Sequence, residues 1–320
     1  MKHLHALLAD GLRFNPHYLP SGNSDHLPMT LCAMSGLGAE AGLLDEYRAD
    51  YSQILHDISA APPIDHWRTG LGEGDEAYPA VLSWCLAEID ATSVATTVAK
   101  LLPELIDSLA LRALHPLIRL GYALEFADPN EVAAALAYWI TSHRDVPLSL
   151  AKPIDLQAVL HDQVAAQKRR EYPTFESSIF GLRLHEQIDA DRYPQGRADS
   201  LQTCAQLALD LYRSTRNFFA LHLVTASQAL RQCQPYLDED QGLAALTGAM
   251  LAAHRALDCP DFDQSNPLPA PDTIDREHGY KYAWACLSEY RHYQEPRYAE
   301  ELRGFRDAGL VPAWCGAAEL

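Results

Sequence analysis

Asp128-Pro129-Asn130-Glu131-Val132-Ala133-Ala134-Ala135-Leu136-Ala137-Tyr138-Trp139-Ile140 is the stretch that decides the fold class. Asp can cap a first helical turn, and Pro is tolerated there because the N–H it lacks would have no intrahelical partner. The alanine-rich run that follows has high helix propensity and few β-branched residues, so a helix is expected to about residue 142. The same grammar extends outward. Residues 27–37 follow the polar cluster Ser21-Gly22-Asn23-Ser24-Asp25 and carry Pro28 in a first turn, which puts His26 at the mouth of a helix that Gly36 and Gly38 end. Helical patterns are also expected over 40–58, 76–88, 93–113, 117–126, 200–212, 217–232, 242–257 and 273–290, with a loop over 60–74 at Pro62-Pro63.

These segments predict an all-α chain without a parallel sheet. The organisation expected is one large multi-helix domain over 1–320, or two closely packed helical lobes. Residues 143–200 are the most polar and irregular, with Pro147, Pro153, Pro173 and Pro194 around two short helices. They read as a lid-like connection or a surface excursion. No fixed-period repeat is present.

Lys and Arg number 25 against 43 Asp and Glu, a formal charge of −18 that repels phosphate backbones and anionic bilayers. Nucleic acid is therefore not an expected partner. No uncharged apolar run reaches the roughly 18 residues of a membrane helix, so no membrane partner is expected either. The seven cysteines, at 32, 85, 204, 233, 259, 286 and 315, form no C-x-x-C pair. They read as reduced thiols of a cytoplasmic protein, and His3, His5 and Asp10 make the N-terminus too polar for a signal peptide.

Several catalytic signatures are missing. The glycines of Gly36-Leu37-Gly38-Ala39-Glu40-Ala41-Gly42 have the wrong last spacing for a dinucleotide fingerprint and lie between helices. No nucleophile elbow or H-E-x-x-H helix occurs. Glu289-x-x-His292 is a single E-x-x-H, where a di-iron bundle needs two.

Four histidines stand in apolar or structurally special settings: His26 and His115 at expected helix N-termini, His222 within Phe218-Phe219-Ala220-Leu221-His222-Leu223-Val224, and His278. A protonated imidazole is costly in such places, whereas a neutral one can bind a metal. For each alone, a hydrogen-bonded core histidine is the ordinary alternative. Convergence of all four on one buried site is the functional expectation.

His278 and Lys281 lie three apart in Glu277-His278-Gly279-Tyr280-Lys281-Tyr282-Ala283-Trp284, which places them on one helix face. Lys281 is one of five lysines and is set among aromatics. Desolvation would lower its pKa and supply the neutral amine that adds carbon dioxide, giving an anionic oxygen ligand. Pairing with Glu277 or Glu289 at the surface is the plainer alternative.

An ordered series of patterns resembles the questin oxidase family from about Phe14 to Phe305. It comprises Asp25-His26-Leu27-Pro28-Met29 with Leu37-Gly38-Ala39; His115-Pro116-Leu117-Ile118-Arg119-Leu120-Gly121-Tyr122; Glu131-Val132-Ala133 with Leu136-Ala137-Tyr138-Trp139; His222-Leu223-Val224-Thr225 with Ala229-Leu230-Arg231; and Glu277-His278-Gly279-Tyr280-Lys281. The resemblance implies an enzyme that uses dioxygen on a quinone-like aromatic or polyphenolic substrate by oxygen insertion or ring cleavage. It also implies Fe(II) on His26, His115, His222, His278 and a carboxylated Lys281. Asp25 and Gln228 depart from the family pattern, in which asparagine and histidine are commoner. Tyr122, Trp139, Phe219, Gln228 and Tyr282 are the candidate substrate-pocket residues, with Tyr138, Phe218 and Trp284 as further aromatic walls. The competing readings are an NADPH-dependent Baeyer–Villiger-type monooxygenase and a non-enzymatic helical scaffold with structural histidines.

Overall fold

The computed structural model describes residues 1–18, 23–148, 150, 152, 154–166, 172, 174–194, 201–271 and 273–319. Ser21, Gly22, Pro153, Pro173 and Ser200, named above, lie outside the described residues. The helices run in the order α1 (Lys2–Gly11), α2 (Leu27–Gly36), α3 (Ala41–Tyr51), α4 (Tyr78–Ala91), α5 (Val94–Leu105), α6 (His115–Glu125), α7 (Pro129–Ser142) and α8 (Leu156–Ala165). They continue as α9 (Phe175–Gly181), α10 (Leu184–Gln187), α11 (Leu201–Thr215), α12 (Phe218–Cys233), α13 (Glu239–Ala256), α14 (Arg276–Tyr293) and α15 (Pro296–Asp307). Among the described residues the one sheet is a two-residue antiparallel ladder, His17–Tyr18 with Asn23–Ser24. The chain is all-α.

Several expected boundaries differ, by up to three residues at most helix ends and by more in α3 and α5. The helix expected over 40–58 stops at Tyr51 and continues only as a 3-10 turn, Ser52–Ile54. The one expected over 93–113 stops at Leu105, two residues past Pro103, which removes a helix N–H. Residues 106–114 then form short 3-10 turns, and within the last of these Arg112 and Ala113 are left-handed. The helix expected from 273 starts at Arg276, because Asp275 caps it.

The chain divides into two compact units. The first comprises Met1–Val98, Pro116–Ser142 and Leu268–Leu320; the second comprises Ala99–His115 and His143–Pro267. In the first, α4 packs on α7 while α14 packs on both α2 and α15. The α2–α14 approach is close because Gly36 has no side chain: a Cβ there would lie 2.4 Å from the Trp284 ring. Trp284 is itself held by Glu125 of α6, which accepts from its Nε1 at 2.8 Å and from the Ser288 hydroxyl at 2.8 Å. In the second unit α11, α12 and α13 pack mutually, and α13 carries α8 and α9. All seven cysteines are buried and none forms a disulfide. No helix among the described residues is long and apolar enough to cross a membrane.

Candidate functional site

In the first unit, the start of α2 and the start of α14 come together. His26 is the N-cap of α2 and His278 lies in the first turn of α14; their ring centroids are 4.7 Å apart and nearly perpendicular. The order is kept along both helices, since Gly36 and Trp284 touch further on. The small residue at Gly36 thus fixes the spacing that brings the two imidazoles together.

His278 is oriented by Asp275. The Asp275 Oδ1 accepts from the His278 backbone N–H at 3.0 Å, which is the helix cap, and from ring Nδ1 at 2.5 Å. A proton held on Nδ1 leaves Nε2 as the basic nitrogen of a neutral ring. The His26 backbone N–H donates to the Tyr51 hydroxyl at 3.2 Å, and Asp25 Oδ1 accepts from the Leu27 N–H at 2.8 Å. His26 Nδ1 lies 3.8 Å from Glu277 Oε1, beyond hydrogen-bond reach.

Lys281 lies one turn along from His278 and is 1% exposed, so the surface-pairing alternative does not hold. Its Nζ has no hydrogen-bond partner among the described residues. Burial brings its pKa down to about 7, with Asp275 and Glu277 pulling the other way. Its backbone carbonyl accepts from the Tyr122 hydroxyl at 3.2 Å, which ties this turn of α14 to α6. Donor atoms of Asp275, Glu277 and His278 also lie within 4.8 Å of one another, making the two carboxylates candidate metal donors in addition.

Behind His26 lies a buried polar cluster that anchors α2. Arg119 and Glu131 form a two-point ion pair, Nε to Oε1 at 2.5 Å and Nη2 to Oε2 at 3.2 Å. Burial raises Asp25 to about 6, with Arg119 and His17 opposing the rise. The Arg119 charge offsets part of the desolvation cost of both buried carboxylates.

In the second unit, His115 and His222 form another imidazole pair, with ring centroids 4.9 Å apart. His222 Nδ1 donates to the Phe218 carbonyl at 2.7 Å and His115 Nδ1 donates to the Arg112 carbonyl at 2.5 Å. In their neutral form both rings would therefore carry the lone pair on Nε2, as His278 would. The Arg112 carbonyl is presented by an unusual turn: Arg112, Ala113 and Leu114 all have positive φ, at 51°, 51° and 70°. Such conformations cost non-glycine residues of order 1–2 kcal/mol each and gather where geometry is functionally constrained.

Of the candidate pocket residues, Tyr122, Trp139 and Tyr282 are core positions of the first unit. Tyr282 donates to Glu301 at 3.0 Å and packs on Phe305. Phe219 and Gln228 belong to the second unit, Phe219 half-buried against Phe175 and Gln228 fully buried. In the sequence alone Asp275 and Tyr51 carry no marked role, and Glu277 stands only as a surface partner for Lys281. The signal for Asp275 was present, as an Asp three residues before a helical His can both cap the helix and reach the ring.

A family model for questin oxidase-like proteins matches residues 23–202 of the chain. The match contains His26 and His115 and ends before His222, His278 and Lys281. No curated protein matches the chain.

Proposed function

Because this chain belongs to the questin oxidase-like family, we propose that it oxidises a quinone-like aromatic or polyphenolic substrate with dioxygen at a mononuclear non-haem Fe(II). The candidate ligands are His26, His278 and Lys281 in the first unit and the His115–His222 pair in the second. One observation carries the metal reading: three buried histidines each have Nδ1 hydrogen-bonded to an oxygen acceptor, which presents Nε2 as a neutral ligand nitrogen. A set of structural histidines has no need to share one tautomer.

The donor set suits the metal in a second respect. Imidazoles with one anionic oxygen are the ligands of many non-haem Fe(II) oxygenases, and a buried amine can supply that oxygen. The Lys281 Nζ lone pair adds to the carbon of carbon dioxide, an N–C bond forms as one C=O π pair moves onto oxygen, and the nitrogen loses one proton to solvent, giving a carbamate. Bound iron would supply the binding and activation of dioxygen. The chain's own part is to fix the imidazoles through Asp275, Phe218 and Arg112, and to keep the Lys281 amine out of water.

The test is metal analysis of protein purified without a histidine tag, together with oxygen uptake on a polyphenolic hydroquinone. About one iron per chain and uptake without added reductant are expected. Lys281→Ala should lose both while keeping the helical circular dichroism spectrum, with partial recovery on adding a short carboxylic acid. Lys281→Arg should also fail, because guanidinium stays protonated and offers no nucleophilic amine. Full iron and turnover in Lys281→Arg would exclude the carbamate, and turnover that needs NADPH would favour the Baeyer–Villiger-type reading.

A further inference from the structure

A cavity of about 710 Å³ opens within the second unit, remote in sequence from His115 and His222 and lined by Val159, Asp162, Gln163, Ile188, Tyr193 and Arg255. Its size is that of small-molecule sites in general. Arg255, in the last turn of α13, is the feature that sets it apart. The side chain is 8% exposed, its Nη1 donates to the neutral amide oxygen of Gln187, and its Nε has no hydrogen-bond partner among the described residues.

No carboxylate pairs with this guanidinium among the described residues. The one acidic group on the wall, Asp162, is committed elsewhere: its Oδ2 accepts from Arg192 Nη2 at 3.1 Å and from the Tyr193 hydroxyl at 2.7 Å. With Arg192 and Asp162 cancelling, the described residues leave the cavity with one uncompensated positive charge, in a chain whose net charge is −18. A buried unpaired charge carries a desolvation cost that a partner carboxylate would offset. The helix C-terminus contributes some compensation through its dipole, but it does not use the donor fork.

We propose that this cavity binds a small organic acid, whose carboxylate pairs with Arg255 and whose apolar body lies on Val159 and Ile188. A guanidinium fork matches one carboxylate through two parallel hydrogen bonds. A single guanidinium beside the Asp162 carboxylate is poorly matched to a phosphate dianion. Gln163 supplies a further polar contact. One end of its buried amide lies 3.1 Å from His254 Nδ1, and the other has no hydrogen-bond partner among the described residues.

The experiment is calorimetric titration of the full chain with sodium benzoate, neutral benzamide and inorganic phosphate. Benzoate should bind saturably, with benzamide and phosphate at least tenfold weaker. Arg255→Gln should weaken benzoate at least tenfold, with partial recovery in Arg255→Lys. Ala166→Trp, at the exposed rim, should block binding without touching Arg255, which keeps the test valid if Arg255→Gln does not fold. Lys281→Ala should leave benzoate affinity unchanged, since none of the proposed metal ligands lines the cavity. No saturable benzoate binding, unchanged affinity in Arg255→Gln or Ala166→Trp, phosphate binding as tight as benzoate, or loss of binding in Lys281→Ala would each overturn the proposal.

Discussion

Asp275 makes two hydrogen bonds to one residue: His278 donates to its Oδ1 from the backbone N–H at 3.0 Å and from ring Nδ1 at 2.5 Å. The first bond is a helix cap, worth about 1 kcal/mol. The second fixes the tautomer of a proposed metal ligand, and losing such a contact typically costs 10- to 100-fold in metal affinity. Asp275→Ser separates the two roles, because serine caps equally well and is too short to reach the ring. The variant should melt within a few degrees of the parent while binding iron at least tenfold more weakly. Unchanged iron affinity would make Asp275 a cap and nothing more.

His254 gives a pH dependence unconnected with iron. It is fully buried in the second unit, with Nε2 donating to the Pro260 carbonyl at 3.0 Å and the Gln163 amide 3.1 Å from Nδ1. Burial lowers its pKa from 6.5 to about 4, with Arg255 reinforcing the fall and the Pro260 contact opposing it. Above pH 6.5 the ring is neutral in folded and unfolded chains alike, and its contribution is complete. As pH falls from 6.5 to about 4 the unfolded chain takes up a proton that the folded chain refuses, so stability declines by up to about 3 kcal/mol. Urea midpoints measured across this window should fall more steeply in the parent than in His254→Gln. Parallel curves would show that the ring titrates normally in the folded state.

The helix starts were the most legible part of the fold because their signals are local. Pro28 and Pro129 sit where a first turn tolerates proline, and α2 and α7 begin beside them. The end of α5 was harder to read, since Pro103 is accommodated inside the helix and the chain leaves it only after Leu105. The pairing of His26 with His278 depends on Gly36 meeting Trp284 across α2 and α14, a contact nearly 250 residues apart in sequence that no local pattern encodes. For Lys281 the aromatic neighbours hinted at burial. Only the packing of α14 against α2 and α15 decides against a surface position, because a lysine stem is long enough to reach water from many half-buried sites.

The turn before His115 was the least legible element, because Arg, Ala and Leu carry no signal for a left-handed backbone. Ala113 has φ 51° and ψ 44°, a conformation that costs alanine about 1–2 kcal/mol and glycine almost nothing. Part of that relief is lost to the greater unfolded-state entropy of glycine. Ala113→Gly should therefore stabilise the protein by about 1 kcal/mol, raising its melting temperature by roughly 2–4 °C. Ala113→Pro should destabilise it severely, since proline holds φ near −65°. The glycine variant should also hold the Arg112 carbonyl less firmly against His115 Nδ1 and release iron to a chelator faster than the parent. A lower melting temperature in Ala113→Gly would show that residue 113 does not adopt the left-handed conformation in solution, and would remove the strained turn as the support of His115.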